Sequence, residues 1–205
     1  SPYTVDLAAK GFPADDVRTA LPEKAQQDAA LLKELGHYWY ATRELAAFVR
    51  AAKEKFPESL FVIVGDHADR YNIEKTPSLY ERYAIPFILT GYGVQKGLLT
   101  DGAAGSQIDI APTLVEMIAP LGFRYEAVGR SLTRGNRRGV NYGFWITHEA
   151  IGKADVVPLV SEPIQGRSGI LDEEAMQDYI NAVRALSWWR PKYGSLDAAK
   201  LEGRE

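Results

Sequence analysis

Apolar residues recur at helical spacing from Leu31 to Ala52. Leu31, Leu32, Leu35, Trp39, Leu45, Phe48, Val49 and Ala52 alternate with Lys33, Glu34, Arg43 and Glu44. The pattern predicts one long helix, with Gly36 marking a bend or a close contact and Pro57 ending it. Upstream, Ser1 to Leu21 reads as a loop punctuated by Pro2, Gly11 and Pro13, with Pro22 just beyond. The period then changes. Leu60-Phe61-Val62-Ile63-Val64 is a short continuous apolar run between Ser59 and Gly65. It predicts a strand buried on both faces, the kind found inside parallel sheets. Pro77 to Tyr83 predicts a short helix, and Ile85 to Thr90 a second strand with Pro86 near its start.

Gly91 to Gly105 is Gly-rich and predicts a loop. Asp109 stands where an N-cap would, before a helix from Ile110 to Ile118 with Pro112 in its first turn. Val140–Thr147 and Ala154–Ser161 predict an antiparallel strand pair, with Glu149–Lys153 as the turn-sized link. A last helix starts at Asp172, carries Met176, Tyr179, Ile180, Val183 and Leu186 on one face, and ends before Pro191. Helices alternating with buried strands predict an α/β fold. The expectation is a mostly parallel central sheet flanked by helices, followed by the C-terminal antiparallel pair and helix.

Composition narrows the function. The 205 residues include 24 Lys+Arg and 27 Asp+Glu, a net charge of −3. A nucleic-acid binder that neutralises phosphates usually has a basic face, so mild acidity argues against one. The run Arg134-Gly135-Asn136-Arg137-Arg138 is short and broken by glycine, and reads as a solvated turn. With no cysteine, disulfides, thiolate metal sites and a cysteine nucleophile are excluded. No stretch is long and apolar enough to span a membrane, so no membrane contact is expected from this segment.

The informative chemistry is Gly65-Asp66-His67-Ala68-Asp69-Arg70, directly after a predicted strand. Ligands of open α/β sheets sit beyond the carboxyl ends of strands. A carboxylate and a neutral imidazole side by side suit manganese or zinc, whereas calcium prefers oxygen alone. The alternative is a solvated turn with two polar residues. Asp69 and Arg70 could orient His67 or meet an anion, or could form an ordinary local ion pair. His37 reads as a packing or surface residue and His148 as a strand end. Tyr92 and Lys96 lie in a loop after a strand, within reach of a substrate. Trp188-Trp189 reads as the edge of a core.

Four ordered segments resemble one family. Phe61-Val62-Ile63-Val64-Gly65-Asp66-His67 resembles the strand and Asp-His signature of the sulfatase-like part of the alkaline phosphatase superfamily. Ile85-Pro86-Phe87-Ile88-Leu89 looks like that family's next core strand. Ser106-Gln107-Ile108-Asp109-Ile110-Ala111-Pro112-Thr113-Leu114 looks like its helix start, and Gly129-Arg130-Ser131-Leu132 like the segment that follows. Gly65 and the full SQIDIAPTL string most resemble the lipoteichoic acid synthase-like branch of phosphoglycerol transferases. Two positions depart from the pattern: Ala68 stands where many members have Gly, and Thr42 where many have Asp after the Tyr40 position.

The resemblance implies a partial alkaline-phosphatase-like fold, with residues 1–205 as the C-terminal portion of a larger catalytic domain. It implies a metal-activated Thr, Ser or formylglycine nucleophile that attacks phosphorus or sulfur and forms a covalent intermediate. The nucleophile would lie upstream of this chain, with Pro2-Tyr3 just after a substrate-binding His. On this reading no catalytic residue is present here, Asp66 and His67 are two metal ligands, and the isolated segment is inactive. The divalent metal would be manganese by preference, or zinc or calcium. The substrate would be a phosphate or sulfate ester, with phosphoglycerol-type transfer favoured over a sulfatase. The location would be extracytoplasmic, on a membrane-anchored parent. The rival expectation is a non-catalytic α/β binding module in which the Asp-His pair is vestigial.

Overall fold

The structure is a computed structural model that describes residues 5–68 and 76–194. The chain divides into two compact units. Among the described residues, unit 1 comprises 5–65 and 86–94, and unit 2 comprises 66–68, 76–85 and 95–194.

Unit 1 contains helix α1 (Ala14–Ala20), helix α2 (Ala29–Lys55) and strands β1 (Leu60–Val64) and β2 (Phe87–Gly91). The long periodic pattern is α2. Asp28 caps its start by accepting the Leu31 amide, and the Phe56 amide closes its end on Ala52. Gly36 is buried because Leu7 and Phe12 pack onto it; a Cβ there would sit 2.5 Å from Leu7 Cδ1. Phe12 also meets Trp39, and the Arg43 guanidinium covers the other aromatic surface, 4.6 Å from the Trp39 ring centre. Arg43 then donates to the Lys10 carbonyl at 2.6 Å, holding the N-terminal segment on α2. That segment is not all loop. The turn Ala14–Ala20 is helical, with Asp15 and Asp16 at its positive end. Pro13, read as punctuation, sits at the N-cap, where a missing N–H does no harm.

Strands β1 and β2 stand where the apolar runs predicted them, but they pair antiparallel, with Leu60 opposite Gly91 and Val64 opposite Phe87. The mostly parallel sheet is therefore corrected. A parallel pair needs a crossover that covers the sheet, usually a helix of a dozen or more residues. The helix between these strands, α3 (Leu79–Tyr83), has 5 residues and belongs to unit 2. Two-sided burial is not observed either, since Val64 and Ile88 are about half exposed. Lys53 donates to Thr90 at 2.6 Å and ties α2 to the pair.

Unit 2 holds α3, helix α4 (Ile110–Ile118), strands β3 (Arg138–Val140), β4 (Phe144–Thr147), β5 (Ala150–Lys153) and β6 (Val160–Pro163), and helix α5 (Glu173–Tyr193). The four strands form an antiparallel sheet in sequence order. The expected two-stranded pair is thus a four-stranded meander. Asn141 splits the first run by accepting the Gly143 and Phe144 amides, which makes a β3–β4 turn. The link read as a turn, from Glu149 to Lys153, is mostly strand β5, because Thr147 already turns the chain by accepting the Glu149 and Ala150 amides. Helix α5 starts at its predicted cap, with Asp172 accepting the Ala175 amide, but Pro191 lies inside it. A proline in the last turn costs only one hydrogen bond. Met176, Tyr179, Ile180 and Val183 of α5 pack on Val140, Trp145 and Ala150 of the sheet and on Ala154 just past β5 to form the core.

The chain is thus mixed α/β with helices and two antiparallel sheets. Among the described residues no helix is long and apolar enough to cross a membrane.

Candidate functional site

Strand β1 ends at Val64, and the backbone turns there because the Gly65 amide still donates to the Pro86 carbonyl while Asp66 leaves the ladder. Successive side chains of a strand point to opposite faces. Beyond the strand end that alternation lapses, and Asp66 and His67 face the same way. Asp66 Oδ1 accepts the His67 amide at 2.9 Å, and Asp66 Oδ2 lies 3.5 Å from His67 Nε2. The Asp66 side chain is 89 % exposed and that of His67 39 %. Gln107 of the SQIDIAPTL string donates to the Asp66 carbonyl at 3.3 Å, so the two segments meet.

The spacing suits shared coordination. Two arms of about 2.0–2.2 Å at a tetrahedral angle place an oxygen and a nitrogen roughly 3.4 Å apart. An Asp–His ion pair would have a similar separation if the imidazole were protonated. Among the described residues no group of three or more His, Asp or Glu could hold a metal ion. The described residues thus bring Asp66 and His67 together as a pair. Asp69, Arg70 and Pro2-Tyr3 lie outside the described residues.

Of the other residues singled out from the sequence, Lys96, His148 and Trp188 share unit 2 with this pair, and His37 and Tyr92 belong to unit 1. Tyr92 and Lys96 are exposed, and they fall in different units. His37 is half-buried on α2. His148 sits in the β4–β5 turn, where its carbonyl accepts Arg167. Trp188 is exposed at the end of α5 and meets the Tyr193 ring edge-on.

Asp109 has a role that cap reasoning missed. It is fully buried, and its carboxylate makes no capping bond within α4. It accepts the Ser106 amide and the Arg130 amide, each at 2.7 Å. Its carbonyl accepts the Thr113 hydroxyl, which in turn accepts the Leu132 amide. Gly129 has to be glycine here, because a Cβ would strike the Ile108 carbonyl and Asp109 Oδ1. The SQIDIAPTL and GRSL segments are thereby fastened to each other around one buried carboxylate. Burial lifts the Asp109 carboxyl above its ordinary value; the Arg130 and Ser106 amides, the Ser106 hydroxyl and the Arg130 charge pull it back without cancelling that rise. The signal was present in the sequence: Ser106 and Asp109 have the spacing of a capping box.

A few residues on, Glu116 collects Arg134 at 2.8 Å and the Tyr125 hydroxyl at 2.9 Å. Desolvation raises its carboxyl, but hydrogen bonds from Tyr125, Arg134 and Ser131 outweigh that and hold it below the usual range.

No protein-family model, curated protein or solved structure matches the chain.

Proposed function

We propose that the chain is the C-terminal part of a metal-dependent enzyme acting on phosphate or sulfate esters, with an alkaline-phosphatase-like catalytic domain and phosphoglycerol-type transfer as its chemistry. The observation that carries the reading is the Asp66–His67 pair, exposed at the end of β1 with Oδ2 and Nε2 3.5 Å apart. These two residues would hold a divalent ion, manganese or zinc before calcium, because the donor set includes nitrogen. Such an ion, when bound, lowers the pKa of a nucleophile and offsets charge on the transferred group. Asp66 and His67 contribute orientation. The short Asp66 Oδ1 contact with the His67 amide fixes the carboxylate, and Gln107 steadies the turn that carries both.

A second observation supports the partial-domain reading. Among the described residues of unit 1 only Gly36 is buried, although β1 and β2 are almost wholly apolar. An isolated two-stranded sheet is marginally stable in water. Apolar strands left half-wet are what a sheet shows when further strands or helices belong against it.

The test has two arms. Manganese or zinc titrated into the 205-residue chain, followed by isothermal titration calorimetry, should bind weakly, in the range of about 1 mM expected of a partial site. Asp66→Ala and His67→Ala should each abolish the saturable component. Equal affinity in all three proteins defeats the ligand assignment. In the second arm, the longer protein that this reading requires should hydrolyse or transfer a phosphodiester in a metal-dependent way, and both variants should remove that activity. Turnover of aryl sulfate esters alone would shift the assignment to a sulfatase, and no turnover of either would reject the enzyme reading.

A further inference from the structure

The two halves of helix α5 differ in composition. Its acids, Glu173, Glu174 and Asp178, lie in the first half, together with the core residues Met176, Tyr179, Ile180 and Val183. From Tyr179 to Gly194 there is no acid, while Arg184, Arg190 and Lys192 are basic. Past Val183 no described residue of the helix is buried, so the aromatic residues of this half are not core. Trp188 and Tyr193 are exposed. Tyr193 meets both tryptophans, edge-on to Trp188 at 5.8 Å and tilted against Trp189 at 4.4 Å. The Lys192 ammonium lies over Trp188 and Tyr193, 4.9 and 5.4 Å from the ring centres.

A second apolar feature stands at the same end of unit 2. Glu126 pairs with Arg190 at 3.4 Å, so the segment that follows α4 meets the last turns of α5. In that segment the Phe123 amide donates to the Pro120 carbonyl and Gly122 takes a φ of 85°, which makes a tight turn with Leu121 at its tip. Leu121 is fully exposed, and Ile118 and Phe123 beside it are exposed as well. The turn is held at its base, where the Tyr125 hydroxyl donates to Glu116 at 2.9 Å. The two acids here, Glu116 and Glu126, are each matched by an arginine, Arg134 and Arg190. Arg124 and Lys192 are exposed and form no ion pair among the described residues. The unmatched charge around these apolar side chains is therefore positive.

We propose that this end of unit 2 lies on an anionic lipid bilayer. Trp188, Tyr193, Leu121 and Phe123 enter the headgroup boundary, and Arg124, Arg184 and Lys192 face the headgroups. Tryptophan and tyrosine join an apolar body to a polar edge, which suits the wet border of a bilayer. Lysine and arginine stems run along the apolar layer while their charges stay among the headgroups. Charge complementarity favours lipid that is anionic, since each basic group near such a surface strengthens binding about fivefold. A helix too polar to cross a bilayer can still lie on one. The inference thus departs from the expectation of no membrane contact, which weighed only a spanning stretch. Neither Asp66 nor His67 takes part, so it stands without the metal assignment.

The experiment is co-sedimentation of the 205-residue chain with two kinds of vesicle, phosphatidylcholine alone and equal parts phosphatidylcholine and phosphatidylserine. The mixed vesicles should bind the chain more than about tenfold better than the neutral ones, and added salt should weaken that binding. Lipids brominated along the acyl chain should quench tryptophan emission, and Trp188→Ala should lose part of that quenching. Lys192→Gln should weaken binding about fivefold, and Leu121→Ser about tenfold. All three positions are exposed, so circular dichroism should show the helix content of the parent. Lys33→Gln, on α2, should bind as the parent does. No binding to the mixed vesicles, equal binding to the neutral ones, or unchanged affinity in both Lys192→Gln and Leu121→Ser would each overturn the proposal. So would a dimer in sedimentation velocity that Leu121→Ser dissolves, since a second copy would then cover the tip.

Discussion

Replacing Asp109 by Asn separates hydrogen bonding from charge at the buried fastening of unit 2. The substitution keeps the volume but turns one carboxylate oxygen into an N–H₂ donor. Asp109 Oδ1 accepts Arg130 and Oδ2 accepts Ser106, so one of these amides must face another donor. A hydrogen bond to a charged group contributes about 1.5–3 kcal/mol, and removing the buried charge returns part of that. The expected net loss is about 2 kcal/mol at neutral pH, read as a fall of roughly 1 M in the urea midpoint with unchanged slope. Tryptophan emission follows the transition, since Trp145 lies in the affected core. The sign of the pH dependence is also set. Burial raises the Asp109 carboxyl above 3.8 in the folded chain, so folding favours its protonated form more than the unfolded chain does. Its contribution is fully present below 3.8 and is lost as pH rises through the raised value. The gap between parent and Asp109→Asn should therefore narrow as pH rises across that window. A midpoint shift below about 0.3 M, or a gap that widens with pH, would refute the reasoning.

Two further predictions follow from the same region. Gly129→Ala forces a Cβ onto the Ile108 carbonyl and Asp109 Oδ1, both held in place, and should cost about 1–3 kcal/mol by thermal unfolding, more than alanine at a loop glycine with open space for a Cβ, such as Gly143. Glu116→Gln should cost about 1 kcal/mol at pH 7, since Arg134 is largely exposed. Because the Glu116 carboxyl is held below 4.5, that cost should fade as pH drops from 4.5 through its lowered value, the opposite trend to Asp109; acid titrations of the two variants against the parent check it.

Much of the local architecture was legible in the order of residues. Helix α2, strand β1, helix α4 and the start of α5 all lie where periodicity, apolar runs and caps put them, since each depends on neighbours a few positions away. The nearness of Asp66 and His67 was also legible, because adjacent residues past a strand end need no distant partner to meet. Strand direction was not. Whether β1 and β2 run parallel depends on how the intervening chain travels, and a short apolar run looks the same in either sheet. The role of Asp109 was hidden for a similar reason. Its cap-like position is local, while its second donor, the Arg130 amide, comes from 21 residues away. The enclosure of Asn136 is also tertiary, for a string of arginines and glycines says nothing about which side chain will be enclosed without a partner. Local spacing thus decided where the elements lie and that Asp66 and His67 stand together. Long-range contact alone decided how the strands pair, which carboxylate is buried and which side-chain amide is enclosed without a partner.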